Sequence, residues 1–229
     1  LWAGWAHTHT TAPTVHEYAT HRGERRELGL PDGSHVVLGA ESKLWIATSR
    51  FTRERTLRLE GLAYFRVAPD ASHPFVVLTR TSATQAVGTA FTVKAYPEDS
   101  LVQVAVTHGR VLLRPVAAAL GTGTALQRGD LGQLDAGDVT SVMHDADVES
   151  FASWTSGRLT YDLVPLRSVV RDLERWYDLA ITVDDPALGD ARLTVAIDPR
   201  RPPSEALARV AEALNAHYEL TGRVAHFRP

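Results

Sequence analysis

Histidine, carboxylate and hydroxyl side chains are the groups in this sequence that could do chemistry, and in each case their spacing argues against it. His7 and His9, with His16 and His21 beyond, offer imidazoles to a transition metal. Two histidines at i and i+2 with no carboxylate beside them supply two ligands where a stable site needs a third. They read as exposed histidines, and no metal site is assigned. His144, Asp145 and Asp147 would set a base beside two acids, but neighbours in a stretch without periodicity have nothing to hold them in a working geometry. They read as a solvated linker. A serine nucleophile would sit in Gly-x-Ser-x-Gly between a strand and a helix. The chain has no such motif, and Ser156, before Gly157, reads as a turn residue. Gly121-Thr122-Gly123 lacks the third glycine and the following helix of a phosphate loop. Cysteine is absent, which removes thiolate chemistry, disulfides and Cys-based zinc sites. His108 stands alone, and His217 is read as capping the end of a helix. No catalytic, cofactor-binding or metal-binding residue emerges.

The surface feature that rises above this background is cationic. Leu166, Val169, Val170, Leu173 and Tyr177 follow the i, i+3, i+4, i+7, i+11 spacing of an amphipathic helix. Arg167, Arg171 and Arg175 recur every four residues almost opposite that stripe. Like charges at i and i+4 cost a few tenths of a kcal/mol each on an isolated helix, so the ridge needs compensation. Either Asp172 and Glu174 balance it in solvent, or an acidic partner docks on it. Arg167, Arg171 and Arg175 are therefore the candidate partner-binding residues.

Bulk properties bound the rest. The 229 residues, 44% hydrophobic and 22% charged, suit one large domain or two modest ones. A net charge of −3 gives no long-range attraction for nucleic acid or an anionic membrane. No run approaches the roughly 18 apolar residues of a membrane span. Leu1-Trp2-Ala3-Gly4-Trp5-Ala6 is apolar for a chain start; it is either the trailing edge of a transmembrane helix or a locally packed segment.

The elements that must position any site fall into two groups. Leu57 and Leu59 alternate with Arg58 and Glu60, and beyond Gly61 the residues Ala63, Phe65 and Val67 keep the period of two that a half-buried strand requires. In Ala86 to Tyr96 one face is Val87, Thr89, Phe91, Val93 and Ala95, with Gly88 on the other, where a missing side chain permits close backbone approach. Short alternating runs separated by Gly, Pro and Asp clusters continue from His16 to about Asp145, predicting an all-β domain of sandwich, barrel or β-helix-like form. After Glu149 the pattern changes. A strand near Gly157 to Asp162 leads into the helix from Pro165 to Tyr177. Strands over Leu179 to Val183 and Arg192 to Ile197, a second helix from Pro203 to His217 and a closing hairpin around Thr221-Gly222 follow. Two strand-helix-strand units make a small α+β domain with two helices.

Gly61-Leu62-Ala63-Tyr64-Phe65-Arg66-Val67-Ala68, Pro74-Phe75-Val76-Val77 and Val87-Gly88-Thr89-Ala90-Phe91-Thr92-Val93, in this order and spacing, resemble the FecR family of sigma-factor regulators. Leu30-Pro31-Asp32-Gly33-Ser34 upstream agrees, as do Val106-Thr107-His108-Gly109-Arg110-Val111 and Leu126-Gln127-Arg128-Gly129-Asp130 downstream. Leu62 stands where the family more often has Glu. Trp154, Gly157, Leu159, Tyr161, Pro165-Leu166, Leu173, Tyr177 and Ala206-Leu207 resemble the short domain of secretins and of the N-termini of TonB-dependent transducers, which FecR-type proteins also carry. The resemblance implies layered, twisted antiparallel strands with β-helix-like character. It divides the chain into a linker at 1–16 after a presumed transmembrane helix, a FecR-like domain at 17–145, a linker at 146–153 and the secretin/TonB-type domain at 154–229. It also implies the periplasmic part of an inner-membrane regulator, an anti-sigma factor without cofactor. Such a regulator would receive a signal from the signalling domain of an outer-membrane TonB-dependent transducer and control an extracytoplasmic-function sigma factor through a cytoplasmic segment, for iron or siderophore uptake. The rival readings are a carbohydrate- or ligand-binding β module, with Trp45 and Tyr96 as its aromatics, and a hydrolase.

Overall fold

The structure, a computed structural model, describes residues 14–48, 51–119 and 121–229. Leu1 to Ala6, read as the edge of a membrane helix, and His7 and His9 lie outside the described residues.

The first half contains β1 (Val15–Ala19), β2 (Arg26–Gly29), β3 (His35–Leu38), β4 (Lys43–Ala47), β5 (Thr56–Arg66), β6 (Phe75–Leu78), β7 (Ser82–Ala86), β8 (Ala90–Ala95), β9 (Leu101–His108), β10 (Arg110–Pro115), β11 (Thr124–Gln127), β12 (Leu131–Asp135) and β13 (Thr140–Met143). All thirteen join through β5. Its first half pairs with β4 and, in parallel, with β6; its second half pairs with β3 and β8. One strand thus passes from one sheet layer to the other, as strands at the corners of packed sheets do. Gly61 makes the bend with φ +109°, and a Cβ there would stand 2.3 Å from Ser42 Oγ and 2.8 Å from Ser42 Cα. Between the layers lie Phe51, Phe65, Phe75 and Phe91, all fully buried. Phe65 stacks on Phe91 at 5.2 Å and meets Phe75 edge-on at 5.8 Å.

The expected alternation from Val87 to Ala95 holds only from Thr89 onward. β7 ends at Ala86, Gly88 turns with φ +61°, and Val87 is exposed. This turn belongs to a ladder. The position a Gly88 Cβ would occupy is 3.3 Å from Pro69, and that of Gly109 is 2.8 Å from Thr89 Cγ2. Arg128 N–H then donates to Gly109 O, and Ala146 N–H to Gly129 O. At the start of the ladder Asp32 accepts from the Ser34 amide and hydroxyl, while Ser34 Oγ accepts from Ala68 N–H. The buried Arg55 guanidinium closes this corner, with Nε 2.9 Å from Asp32 Oδ2 and Nη2 donating to Ala68 O.

The second half folds as β14 (Leu159–Pro165) paired with β16 (Arg192–Ile197), and β15 (Ala180–Val183) parallel to β18 (Val224–Arg228), which also pairs with β17 (His217–Thr221). Two twelve-residue helices, α2 (Leu166–Tyr177) and α4 (Pro203–Leu214), each touch both sheets. The shorter α1 (Val148–Ala152) and α3 (Pro186–Asp190) accompany them. Residues 146–153, read as a linker, therefore carry a helix: Asp147 caps α1, and Val148 and Ala152 are buried. α4 stops at Leu214 because Asn215 takes the left-handed conformation, φ +50°. His217 accordingly lies in β17 and is not a helix cap.

Replacing Gly61 with Ala forces a β-carbon into Ser42 at a left-handed backbone position, and should cost about 3 kcal/mol. Urea unfolding followed by circular dichroism should show a lower midpoint at an unchanged slope. An unshifted midpoint would mean that β5 does not bend here.

Candidate functional site at the domain junction

Three turns of the β domain converge on α2: residues 20–25 between β1 and β2, 39–42 between β3 and β4, and 96–100 between β8 and β9. Their apolar members, with Leu62 of β5, share one core with the second domain. Ala40, Leu62 and Tyr96 pack in the same cluster as Trp154, Leu173 and Trp176. On β5, Ala63 and Phe65 belong to the β-domain core, and Leu62, just before them, belongs to the junction. An apolar side chain thus suits this position.

Arg175 fixes the geometry. Its side chain is only 4% exposed, and its guanidinium lies over the Tyr96 ring, 3.6 Å from the centroid. Nη2 reaches Glu98 Oε1 at 2.5 Å and Asp99 Oδ1 at 3.3 Å, and Nη1 reaches Asp172 Oδ1 at 3.2 Å. Glu41 Oε2 stands 4.0 Å from Nε. Lys94 on β8 grips both oxygens of Asp172, at 2.7 and 2.8 Å. Tyr96 Oη donates to Ala40 O at 2.7 Å, and burial, reinforced by Asp172, pushes its pKa up, so the phenol stays protonated. Partial burial raises the Glu98 carboxyl, but the hydrogen bond and charge of Arg175 outweigh it and hold the pKa below the usual value of 4.5. The α2 backbone is held as well, since Gly23 N–H donates to Arg175 O at 2.8 Å.

The three candidate arginines are therefore not one exposed ridge. Arg167, half exposed, pairs with Asp190; Arg171, 47% exposed, pairs with Asp99 at 3.3 Å; Arg175 is buried between the domains. Beside them opens a cleft of about 620 Å³ lined by Arg22, Lys43, Arg171 and Arg175 and by Glu41, Glu60, Glu98 and Glu174. Four cations face four carboxylates, so the cleft has no net pull on a charged ligand. Trp45 and Tyr96, the aromatics a sugar-binding module would display, are both engaged: Trp45 Nε1 donates to Glu17 while Arg58 covers its ring, and Tyr96 lies under Arg175. His144 Nδ1 donates to the Asp130 carboxylate, and Asp147 is a helix cap. Among the described residues no three His, Asp or Glu side chains are placed to hold a metal ion. The arrangement can couple two folded units, and it brings no nucleophile and base together.

Arg175→Ala should cost about 3 kcal/mol, the usual loss when one partner of a buried ion pair is removed. The effect should depend on pH. The folded-state pKa of Glu98 is depressed, so its contribution is complete above pH 4.5 and disappears as pH falls through the folded value. Urea midpoints of the native protein and the variant should therefore differ by a constant amount from pH 6 to 8 and converge as pH falls below 4.5 through the folded value. A difference that persists in acid would assign the loss to packing on Tyr96 alone.

Comparison with known proteins follows the same division. The family model described as FecR protein matches residues 16–112, and that described as FecR, C-terminal, matches 158–226. Two crystal structures of a protein from Parabacteroides distasonis, provisionally assigned as an anti-sigma factor, superpose with TM-scores of 0.83 and 0.82. Each is 26% identical in sequence and aligns over 93% of this chain and 98% of the other. No curated protein matches significantly. With both of its folded units matched, and its architecture shared with that protein over 93% of its length, the chain belongs to the FecR family of sigma-factor regulators.

Proposed function

We propose that this chain is the periplasmic, partner-receiving region of an inner-membrane anti-sigma regulator. Its signal would come from the signalling domain of an outer-membrane TonB-dependent transducer. Its output would be control of an extracytoplasmic-function sigma factor, through a cytoplasmic segment outside this sequence, with iron or siderophore uptake as the process served. The observation that carries this reading is the division of labour along α2. Its C-terminal half is locked into the β domain through Arg175, while Arg167 and Arg171 on its N-terminal half remain open to solvent. A partner landing on the open half acts on the same rigid helix that the junction holds. Binding would then shift the population of docked and undocked states by its differential affinity for them.

No helix among the described residues is long and apolar enough to cross a membrane, and the anchor we propose is a helix preceding them. The receiving surface would be cationic and its partner acidic. Arg175 is not part of that surface, and reversing its charge would bury a carboxylate beside Asp99 and Asp172, so the informative variant leaves it alone.

Arg167→Glu with Arg171→Glu should keep the fold, because Arg167 and Arg171 are both about half exposed. Rim charges act mainly on association rate and its salt dependence. Surface-based kinetics against a transducer signalling domain should show association slowed several-fold at low salt, with a flatter salt dependence. Unchanged kinetics in the folded double variant would remove α2 from the interface and leave strand addition at a sheet edge as the mode of binding.

A further inference from the structure

We propose that β1 is a strap whose hold on the sheet depends on the docking of α2, so that displacing α2 frees the strand through which everything before Thr14 is attached. This rests on reading the second domain as the receiving surface, and it names the element that the signal moves.

β1 is an edge strand that pairs only with β4. Of its five residues only Tyr18 is even partly covered. Along its length Tyr18 packs on the edge of the β-domain core beneath Arg26, and the other side-chain hold, Trp45 Nε1 donating to Glu17, is solvent-exposed. Exposed hydrogen bonds and low burial mark the segments of a fold that open most readily.

Beyond the ladder to β4, the Tyr18 contact and the bond from Thr48 N–H to Thr14 O, two attachments at the end of β1 lead to Arg175. Along the first route the buried Thr20 exchanges hydrogen bonds with Ser42: its Oγ1 accepts from the Ser42 amide at 3.0 Å, and its own amide donates to Ser42 O at 2.9 Å. Ser42 Oγ donates to Ala40 O, which also receives Tyr96 Oη, and the Tyr96 ring carries the Arg175 guanidinium. The second route is the turn that follows. Gly23 N–H donates to Arg175 O, Arg22 pairs with Asp178 at the end of α2, and Arg25 donates to Thr155 O. Gly23 has φ +73°, and a Cβ there would meet Trp176 O at 3.2 Å, so the turn reaches the helix only because the residue is glycine. Moving α2 breaks the second route directly. It also uncovers Tyr96, on which the first depends.

Amide hydrogen exchange on the isolated protein tests this. In Arg175→Ala the β1 amides should exchange at least about tenfold faster, equivalent to about 1.4 kcal/mol of lost closing free energy, and faster than global unfolding of the variant allows, while β5 and β8 amides change only by its loss of global stability. Gly23→Ala, which pushes the turn off α2 without touching the arginine, and Tyr96→Phe, which keeps the ring and loses the bond to Ala40, should act in the same direction. They also carry the test should Arg175→Ala not fold. Arg209→Ala on the exposed face of α4 should change nothing in β1. Unchanged β1 rates in these folded junction variants, or β1 rates no faster than global unfolding of each variant sets, would overturn the strap. No partner is present, so such a failure concerns the strap alone, and the binding kinetics separately test the receiving surface.

Discussion

A guanidinium that has left water must find counter-charges, because an unpaired buried cation is among the most costly groups a fold can contain. Arg175 meets that requirement only if the turn at 96–100 brings Glu98 and Asp99 to it, Tyr96 lies beneath it and Lys94 holds Asp172 in place. Each of those groups belongs to the β domain except Asp172, its neighbour on α2. The apolar contact of Leu62 and Tyr96 with Trp154 and Trp176 supplies attraction without direction. The planar, five-donor fork of arginine supplies direction. A buried ion pair is weak evidence for net stability; its contribution here is to select one docking orientation, which makes two separately cored units behave as one body.

The β domain is organised by a different constraint. A sheet whose central strand crosses between layers needs corners, and each corner needs a residue without a side chain or a polar group that satisfies the exposed backbone. Gly61 provides the crossing, and the turns at Asp32, Gly88, Gly109 and Asp130 stack along one side of the domain. The residues that carry the family resemblance are these turns and the strands between them. The backbone demands these residues, so a resemblance can be read from them without any catalytic or ligand-binding group in view.

The strand alternation, the amphipathic stripe of α2 and the change from all-β to α+β near residue 150 were legible because each depends on contacts within one domain. The junction was not. Periodicity reports the face that a helix buries in its own domain, and α2 is covered on a second side near its C-terminus by the turns at 20–25 and 96–100. Arg175 lies opposite the apolar stripe, where a single-domain reading puts solvent. The four-residue row of arginines was real, but the β domain covers its last member and leaves the first two exposed. Trp176 was missed for the related reason that it packs against Trp154, from the stretch just before β14. Leu62 was the one available signal, since an apolar residue next in line to Ala63 and Phe65 breaks the period of two and marks a covered outer face. Residues 146–153 lack periodicity because a five-residue helix is too short to show any.

The central claim, that the ion cluster on Tyr96 welds two cores into one cooperative unit, is tested most directly by differential scanning calorimetry of the native chain. The account requires a single transition whose calorimetric and van't Hoff enthalpies agree. Two resolved transitions, or a calorimetric enthalpy well above the van't Hoff value, would show that the domains unfold independently and would contradict it.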